Sequence, residues 1–260
     1  MAESTLSYNW DDFKQEVGRF LGYGSDSSSW SSDQTAVIEM CVHSGCRNVM
    51  FPPAMEGIQL GYSWSWMRPT TTIDTTADQG EDDMPDDFHR LIGSFHFESA
   101  KGYAKVKQVV EGEILELRAL DDYNGFPRLC AFRYKSTDQT TGQRQEVIWY
   151  PEPDDTYTLT YSYEVYQGKL SDSAKYPPGG MHMSEVYMES CLAVAEQRIL
   201  DQQGIHTVNF NSMLVAAVAR DKQRGGKNYG RVGHKESTLR EVFRGQRGGT
   251  YNLTYNGDTL

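Results

Sequence analysis

The chain has 260 residues, 38% of them hydrophobic, and a formal charge of −11. That length suits one elaborate domain or two modest ones, and the low apolar fraction predicts extensive surface, long loops, or burial completed by partner chains. The acidic balance argues against a whole-chain binder of nucleic acid or anionic membrane.

The charge is unevenly spread. Residues 220–260 carry nine Lys or Arg against four Asp or Glu, a surplus of +5, which leaves −16 on the rest of the chain. The opening MAESTLSYNWDD has neither the basic nor the apolar region of an export signal. No stretch approaches the ~18 apolar residues of a membrane span, so a soluble protein made in a reducing cytoplasm is expected. The four cysteines fit that setting. Cys41 and Cys46, five apart on one predicted helix, point in different directions and lack zinc-knuckle spacing; Cys130 and Cys191 sit singly among apolar residues, and for these two buried free thiols are expected.

In chain order, Trp10, Phe13, Val17, Phe20 and Leu21 recur at helical spacing, with Asn9 as the N-cap and Gly22 beyond the end. A Gly/Ser loop then leads to Ser32 and Asp33, which are placed to cap a second helix over about 34–49 with Val37, Ile38, Cys41, Val42 and Val49 buried; Pro52 and Pro53 stop it. From Leu60 to Tyr166 the period changes to alternation, rich in aromatic and β-branched residues, and predicts an antiparallel β region. Inside it, DQGEDDMPDDFHRL reads as an acidic loop leading to a short helical turn, and STDQTTGQ as a polar hairpin tip. After YPPGG the helical period returns. Ser184 is placed to cap a helix carrying Tyr187, Met188, Cys191, Leu192, Ala195 and Ile199 on one face and ending at Gly204; Asn211 or Ser212 opens another. From Gly225 the chain is Gly-rich, basic and too poor in apolar residues for a core of its own, which predicts an arm.

The predicted fold class is therefore α+β. N-terminal helices (1–58) and C-terminal helices (171–224) share one bundle, an antiparallel β insertion (59–170) separates them, and residues 225–260 extend as a basic arm.

No stretch presents a catalytic constellation. Asp154 and Asp155, in VIWYPEPDDTYTLTYSYEVYQGKL, are adjacent and flanked by Pro151 and Pro153, which predicts a turn whose carboxylates accept local hydrogen bonds instead of facing each other across a substrate. Glu81, Asp82, Asp83, Asp86 and Asp87 lack the alternating ligands and central glycine of a calcium loop, and read as a solvated loop or a complement to a basic partner. His43, His89, His96, His182, His206 and His234 fall singly in different elements, with no metal-binding pair; His182 and His206 suit turns or interfaces. Neither a nucleophile elbow nor a phosphate loop is present, so no cofactor, no metal and no enzyme activity are expected. Trp64, Trp66, Trp149, Tyr157, Tyr161, Tyr163 and Tyr166 suit either a stacking platform or the packing of a sheet. For the arm, a protein partner is favoured over DNA. The partner-binding residues expected there are Arg224, Lys227, Tyr229, Arg231, Arg240, Phe243, Arg244, Arg247, Tyr251, Leu253 and Tyr255, and TYNLTY at 250–255 alternates like a strand ready to join a neighbouring sheet.

The order of these segments resembles the head-to-tail adaptor (connector) proteins of tailed bacteriophages. The likeness is carried by the acidic MPDDFHRL leading into strands, by EVIWYPEPDDTYTLTYSYEVYQGKL, and by LSDSAKYPPGGMHMSEVYMESCLAVAEQRI; it spans about 80–200 well and the first helices loosely. It implies a structural virion protein of the neck, assembled in the host cytoplasm. It further implies a ring of twelve copies between the portal and the tail, stopper or tail-terminator protein, with double-stranded DNA passing through the lumen without specific binding. Membrane plays no part, and the family has no active site to carry over. The β region is large for the simplest connectors, which leaves room for an added binding role. The alternative expectation is a carbohydrate- or receptor-binding virion component that uses the aromatic β region.

Overall fold

The computed structural model describes residues 3–54, 58, 62–99, 102–121, 123–135, 144–224, 254–255 and 258–259. Residues 1–225 form one unit and 226–260 a second. Five helices and nine short or medium strands are found among the described residues.

The bundle is built from α1 (Trp10–Phe20), α2 (Ser32–Met50), α4 (Ser184–Arg198) and α5 (Ile205–Arg224). Asn9 caps α1 in a reciprocal capping box with Asp12, and Trp10, Phe13 and Val17 are buried beneath it, as their spacing predicts. Gly22, at φ +78°, takes the left-handed conformation that ends the turn. The central element is α4, which packs on α1, α2 and α5. It is buried all round, from Val186 to Glu196, so the single apolar face expected for it is only part of its contact surface.

Three helix boundaries differ from expectation, the first through a local capping box and the other two through contacts from distant segments. The cap of α2 is Ser31, whose hydroxyl accepts from the Gln34 N–H while the Gln34 side chain accepts from the Ser31 N–H, one residue before the Ser32 and Asp33 expected. Ser184 lies inside a continuous helical path after the 3₁₀ turn Met181–Met183, and its hydroxyl accepts from the Tyr8 N–H at 3.1 Å instead of capping. The next helix starts at Ile205, ahead of Asn211 and Ser212. There Glu196 of α4 accepts from the Thr207 N–H at 3.3 Å, so the first turn is satisfied by a carboxylate from the neighbouring helix.

The β insertion is two stacked sheets with a helix outside them. One sheet has the order β1 (Thr70–Asp74), β7 (Thr158–Val165), β3 (Phe88–Phe97), all antiparallel. The other has the order β2 (Glu81–Asp83), β6 (Gln145–Tyr150), β5 (Leu129–Tyr134), β4 (Lys107–Gln108), antiparallel except for the β4–β5 edge. The alternation of β5 and β6 divides their side chains between two layers. Cys130, Phe132, Val147 and Trp149 join the main core, whereas Ala131 and Ile148, paired across the ladder, meet Ile114 of α3 (Glu111–Leu120) on the outer face.

That helix corrects the expectation of an uninterrupted β region. EGEILELRAL is made almost entirely of strong helix formers. Two further corrections concern the acidic segment. Glu81–Asp83 is strand β2, and the expected helical turn at MPDDFHRL is the entry to β3, because both segments find ladder partners far along the chain in β6 and β7. The expected tip at 136–143 lies outside the described residues; the strands on either side pair antiparallel. In the second unit, β8 (Thr254–Tyr255) pairs antiparallel with β9 (Asp258–Thr259).

Candidate functional site

Asp154 and Asp155 sit where the chain leaves β6 of one sheet for β7 of the other, so the segment is a corner between sheets and not a hairpin. Asp154 accepts from the Tyr157 hydroxyl at 2.6 Å, and Asp155 accepts from the Thr156 N–H at 2.8 Å. The Asp155 carbonyl takes a hydrogen bond from the Thr75 hydroxyl at 3.1 Å, which ties the corner to the end of β1. The hydrogen bond from Tyr157 to Asp154 pushes the phenol well above its ordinary range, with burial adding to it. These carboxylates organise a turn.

Each carboxylate of the acidic run has a partner within the chain, and Glu81–Asp83 is a strand and not the solvated loop expected, although Asp83 and Asp86 remain exposed. Glu81 meets Arg133 at 2.7 Å, Asp83 meets Lys135 at 2.6 Å, Asp86 lies 3.6 Å from Arg144, and Asp87 accepts from the Tyr163 hydroxyl at 3.0 Å. Asp82 is buried and accepts from the Trp149 indole N–H at 2.6 Å and from Thr76 at 3.2 Å. Burial raises the Asp82 carboxyl above the usual range, against the pull of those donors. On the outer face of the same sheet Arg133 also reaches Glu146 and Glu111, and Arg118 of α3 donates to the carbonyls of Gly80 and Trp149 at 2.9 and 3.0 Å. The charges therefore fasten α3 and β2 to the sheet.

His43, His89, His206 and the four thiols pack within the fold. His43 stacks on Trp10 at 5.1 Å with its Nε2 3.1 Å from the Leu170 carbonyl, His206 lies 2.9 Å from Glu189, and His89 packs 4.3 Å from the Tyr166 ring. His234 lies outside the described residues. All four cysteines are buried and free, and burial pushes Cys130 up to about 12. Cys191 is less isolated than its sequence context suggests. It sits in the contact of α4 with α2, where its thiol is 3.6 Å from the Val42 carbonyl and next to Cys46. Among the described residues no group of three His, Cys, Asp or Glu is placed to hold a metal ion.

The aromatic side chains form the seam between the sheets. Phe95 lies 5.0 Å from Trp149 and 4.8 Å from Tyr161, and Phe88 lies 5.1 Å from Phe132 and 5.6 Å from Tyr163. Tyr157, Tyr161 and Tyr163 do share one face, but that face is interior, as are Trp64 and Trp149. A stacking platform built on these five side chains has no access to solvent. Trp66 is half-buried beside Trp64, and Tyr166 alone of the set is exposed.

Of the expected arm residues, Lys227, Tyr229, Arg231, Arg240, Phe243, Arg244, Arg247, Tyr251 and Leu253 lie outside the described residues; the backbone of Arg224 ends α5, and that of Tyr255 belongs to β8. What the structure adds is the fastening of α5 just before the arm. Asp221 is buried and accepts from the Tyr62 hydroxyl at 2.7 Å, the Ser65 N–H at 2.9 Å and the Ser65 hydroxyl, so the end of α5 is tied to the 3₁₀ turn Ser65–Met67 that opens the insertion. Burial alone would raise the Asp221 carboxyl, but those donors outweigh it and hold the group below its ordinary value.

Sequence reasoning missed two surface features. The first is a groove of about 350 Å³ between the end of α2 and the linker after β7, lined by Cys46, Arg47, Met50, Phe51, Tyr166 and Leu170; a second hollow of about 310 Å³ lies on the other side of Phe51. The second is the outward face of α3, where Leu115 and Leu120 are 49% and 78% exposed. Phe51 follows the helix and precedes two prolines, a position with no periodic signal, and α3 went unrecognised altogether.

Among the described residues no helix is long and apolar enough to cross a membrane. No curated protein matches the sequence. The SU10 adaptor protein family model matches residues 8–233, which takes in the whole bundle, both sheets and the root of the arm. A helical bundle carrying a β insertion whose polar clusters serve as fastenings, together with that match over most of its length, makes this chain a member of the SU10 adaptor protein family, a family of phage head-to-tail adaptors.

Proposed function

We propose that the protein is a structural component of the virion neck, a ring of twelve copies between the portal and the tail, stopper or tail-terminator protein, around the channel through which DNA leaves. The family match over residues 8–233 carries this reading. The bundle split by an insertion and the low apolar fraction of the chain support it, since symmetric neighbours then complete the burial. In this reading the residues from Arg224 to Tyr255 named above dock on a protein partner, and the −16 of residues 1–219 attracts the +5 of residues 220–260 of a neighbour. An acidic lumen lets double-stranded DNA slide without specific binding. The role is non-catalytic, and assembly takes place in the host cytoplasm.

Mass measurement of the purified protein, alone and with the portal, tests the proposal. The expected outcome is a monomer alone and a ring on the portal. A stable small oligomer that ignores the portal refutes it. Ring assembly unaffected both by salt and by removal of residues 225–260 removes the charge argument while leaving the ring itself standing.

A further inference from the structure

The outward face of α3 is unusual for a surface helix. Leu120 stands in solvent, and Glu113 and Glu116, which share its flank of the helix at i, i+3, i+7 spacing, are exposed and have no cationic partner among the described residues; Leu115 is exposed on the opposite flank. Four other acids of this layer, Glu81, Glu111, Glu146 and Glu152, lie within 4.0 Å of Arg118 or Arg133. An acidic, leucine-bearing face is therefore left over after the internal charges have been matched.

The Phe51 groove has the opposite character. Its walls are apolar, with Met50 and Leu170 inside and Phe51 and Tyr166 38% and 45% exposed at its lip. Arg47 and Lys169 border it, both exposed and both without a carboxylate partner among the described residues, in a chain whose net charge is −11. Apolar surface bordered by unpaired cations fits apolar surface bordered by unpaired acids.

The two surfaces cannot meet within one chain. Ile114 and Arg118 hold α3 against the outer face of the β2–β6–β5–β4 sheet, whereas the groove is formed by the end of α2 and the linker after β7. We propose that α3 of one copy docks its Glu113–Leu120 face in the Phe51 groove of the next, with Glu113 and Glu116 opposite Arg47 and Lys169. This rests on the ring reading above and gives it a contact. Two different patches meet, so the interface is head-to-tail, the kind that closes into a ring when its rotation allows.

Charge reversal with rescue tests the contact in the presence of the portal. Arg47→Glu with Lys169→Glu, and separately Glu113→Lys with Glu116→Lys, should each lower ring yield at least tenfold while leaving the monomer melting curve unchanged, because all four side chains are exposed. The variant carrying all four changes should recover the ring. In wild-type rings assembled from ¹⁴N and ¹⁵N copies, carbodiimide coupling should join Lys169 to Glu113 or Glu116 in mixed-isotope pairs. Rings that form normally in both double variants overturn the docking and leave the ring reading intact. Loss without rescue overturns it also. A defect confined to the groove variant assigns the groove to the portal or tail partner instead, which again overturns it. If the wild-type protein forms no ring at all, the ring reading fails and the contact with it.

Discussion

Replacing Gly45 by alanine should drive the two most buried helices apart. Gly45 of α2 faces Cys191 of α4, and a Cβ at this position would lie 2.7 Å from the Cys191 N, Cα and Sγ. Carbon contacts settle at about 3.5–4.0 Å, so the helices must separate by roughly 1 Å or the backbone must distort. Overpacking of this kind costs about 1–3 kcal/mol. The same shift stretches the hydrogen bond that the Ser190 hydroxyl donates to the Gly45 carbonyl at 2.9 Å, worth about 1 kcal/mol. Alanine returns about 1 kcal/mol through its better helix propensity, and the net expectation is a loss of about 1–3 kcal/mol. For a unit of this size that lowers Tm by about 2–12 °C. Gly112 of α3 supplies the control, since a Cβ there meets nothing within 4 Å. Gly112→Ala should stabilise by about 0.5–1 kcal/mol. Urea and thermal unfolding of the three proteins decide the matter: if Gly45→Ala is as stable as wild type, the close approach of α2 and α4 is not what the geometry indicates.

Other outcomes follow from the polar fastenings. Asp221→Ala should cost about 2–4 kcal/mol, because it removes three hydrogen bonds to a carboxylate and leaves the Ser65 and Tyr62 donors without their acceptor; Asp221→Asn should lose less, and equal losses would show that the charge adds nothing. Since the Asp221 carboxyl is held below its ordinary value in the fold, its contribution is present above the unfolded carboxylate pKa and is lost as pH falls through the folded one. Asp82 has the reverse sign. Its carboxyl is raised by burial, so its contribution is present below the unfolded value, about 4, and is lost as pH rises through the folded value. Asp82→Asn should therefore gain stability relative to wild type between pH 3.5 and 7, measured by urea unfolding at both; parallel pH profiles would contradict the assignment.

The chain's local order was legible from its residues. The capping box at Asn9 and Asp12, the Trp10–Phe13–Val17 spacing and the switch to alternation after Leu60 each depend on neighbours a few residues away, and the helices and most strands follow from them. The shared face of Tyr157, Tyr161 and Tyr163 was legible in the same way. Their burial was not, because it depends on Phe88, Phe95 and Trp149 arriving from other strands. The acidic run shows the same limit: five carboxylates in seven residues look solvated until β5 and β6 bring Arg133, Lys135 and Arg144 alongside. Helix α3 was missed even though its composition favours helix, since the alternating segments on either side set the expectation for the whole region.

The sequence by itself therefore determined the four bundle helices and most of the strands, α3 and the entry to β3 excepted; these are properties of spacing along the backbone. Only the tertiary structure decided which face of each element is inside, which charges are already matched, and where Glu196 starts the last helix. It also left Phe51, at the end of α2, and the outer side of α3 exposed to solvent. Those outcomes depend on contacts between residues far apart in sequence, and such contacts carry no local period.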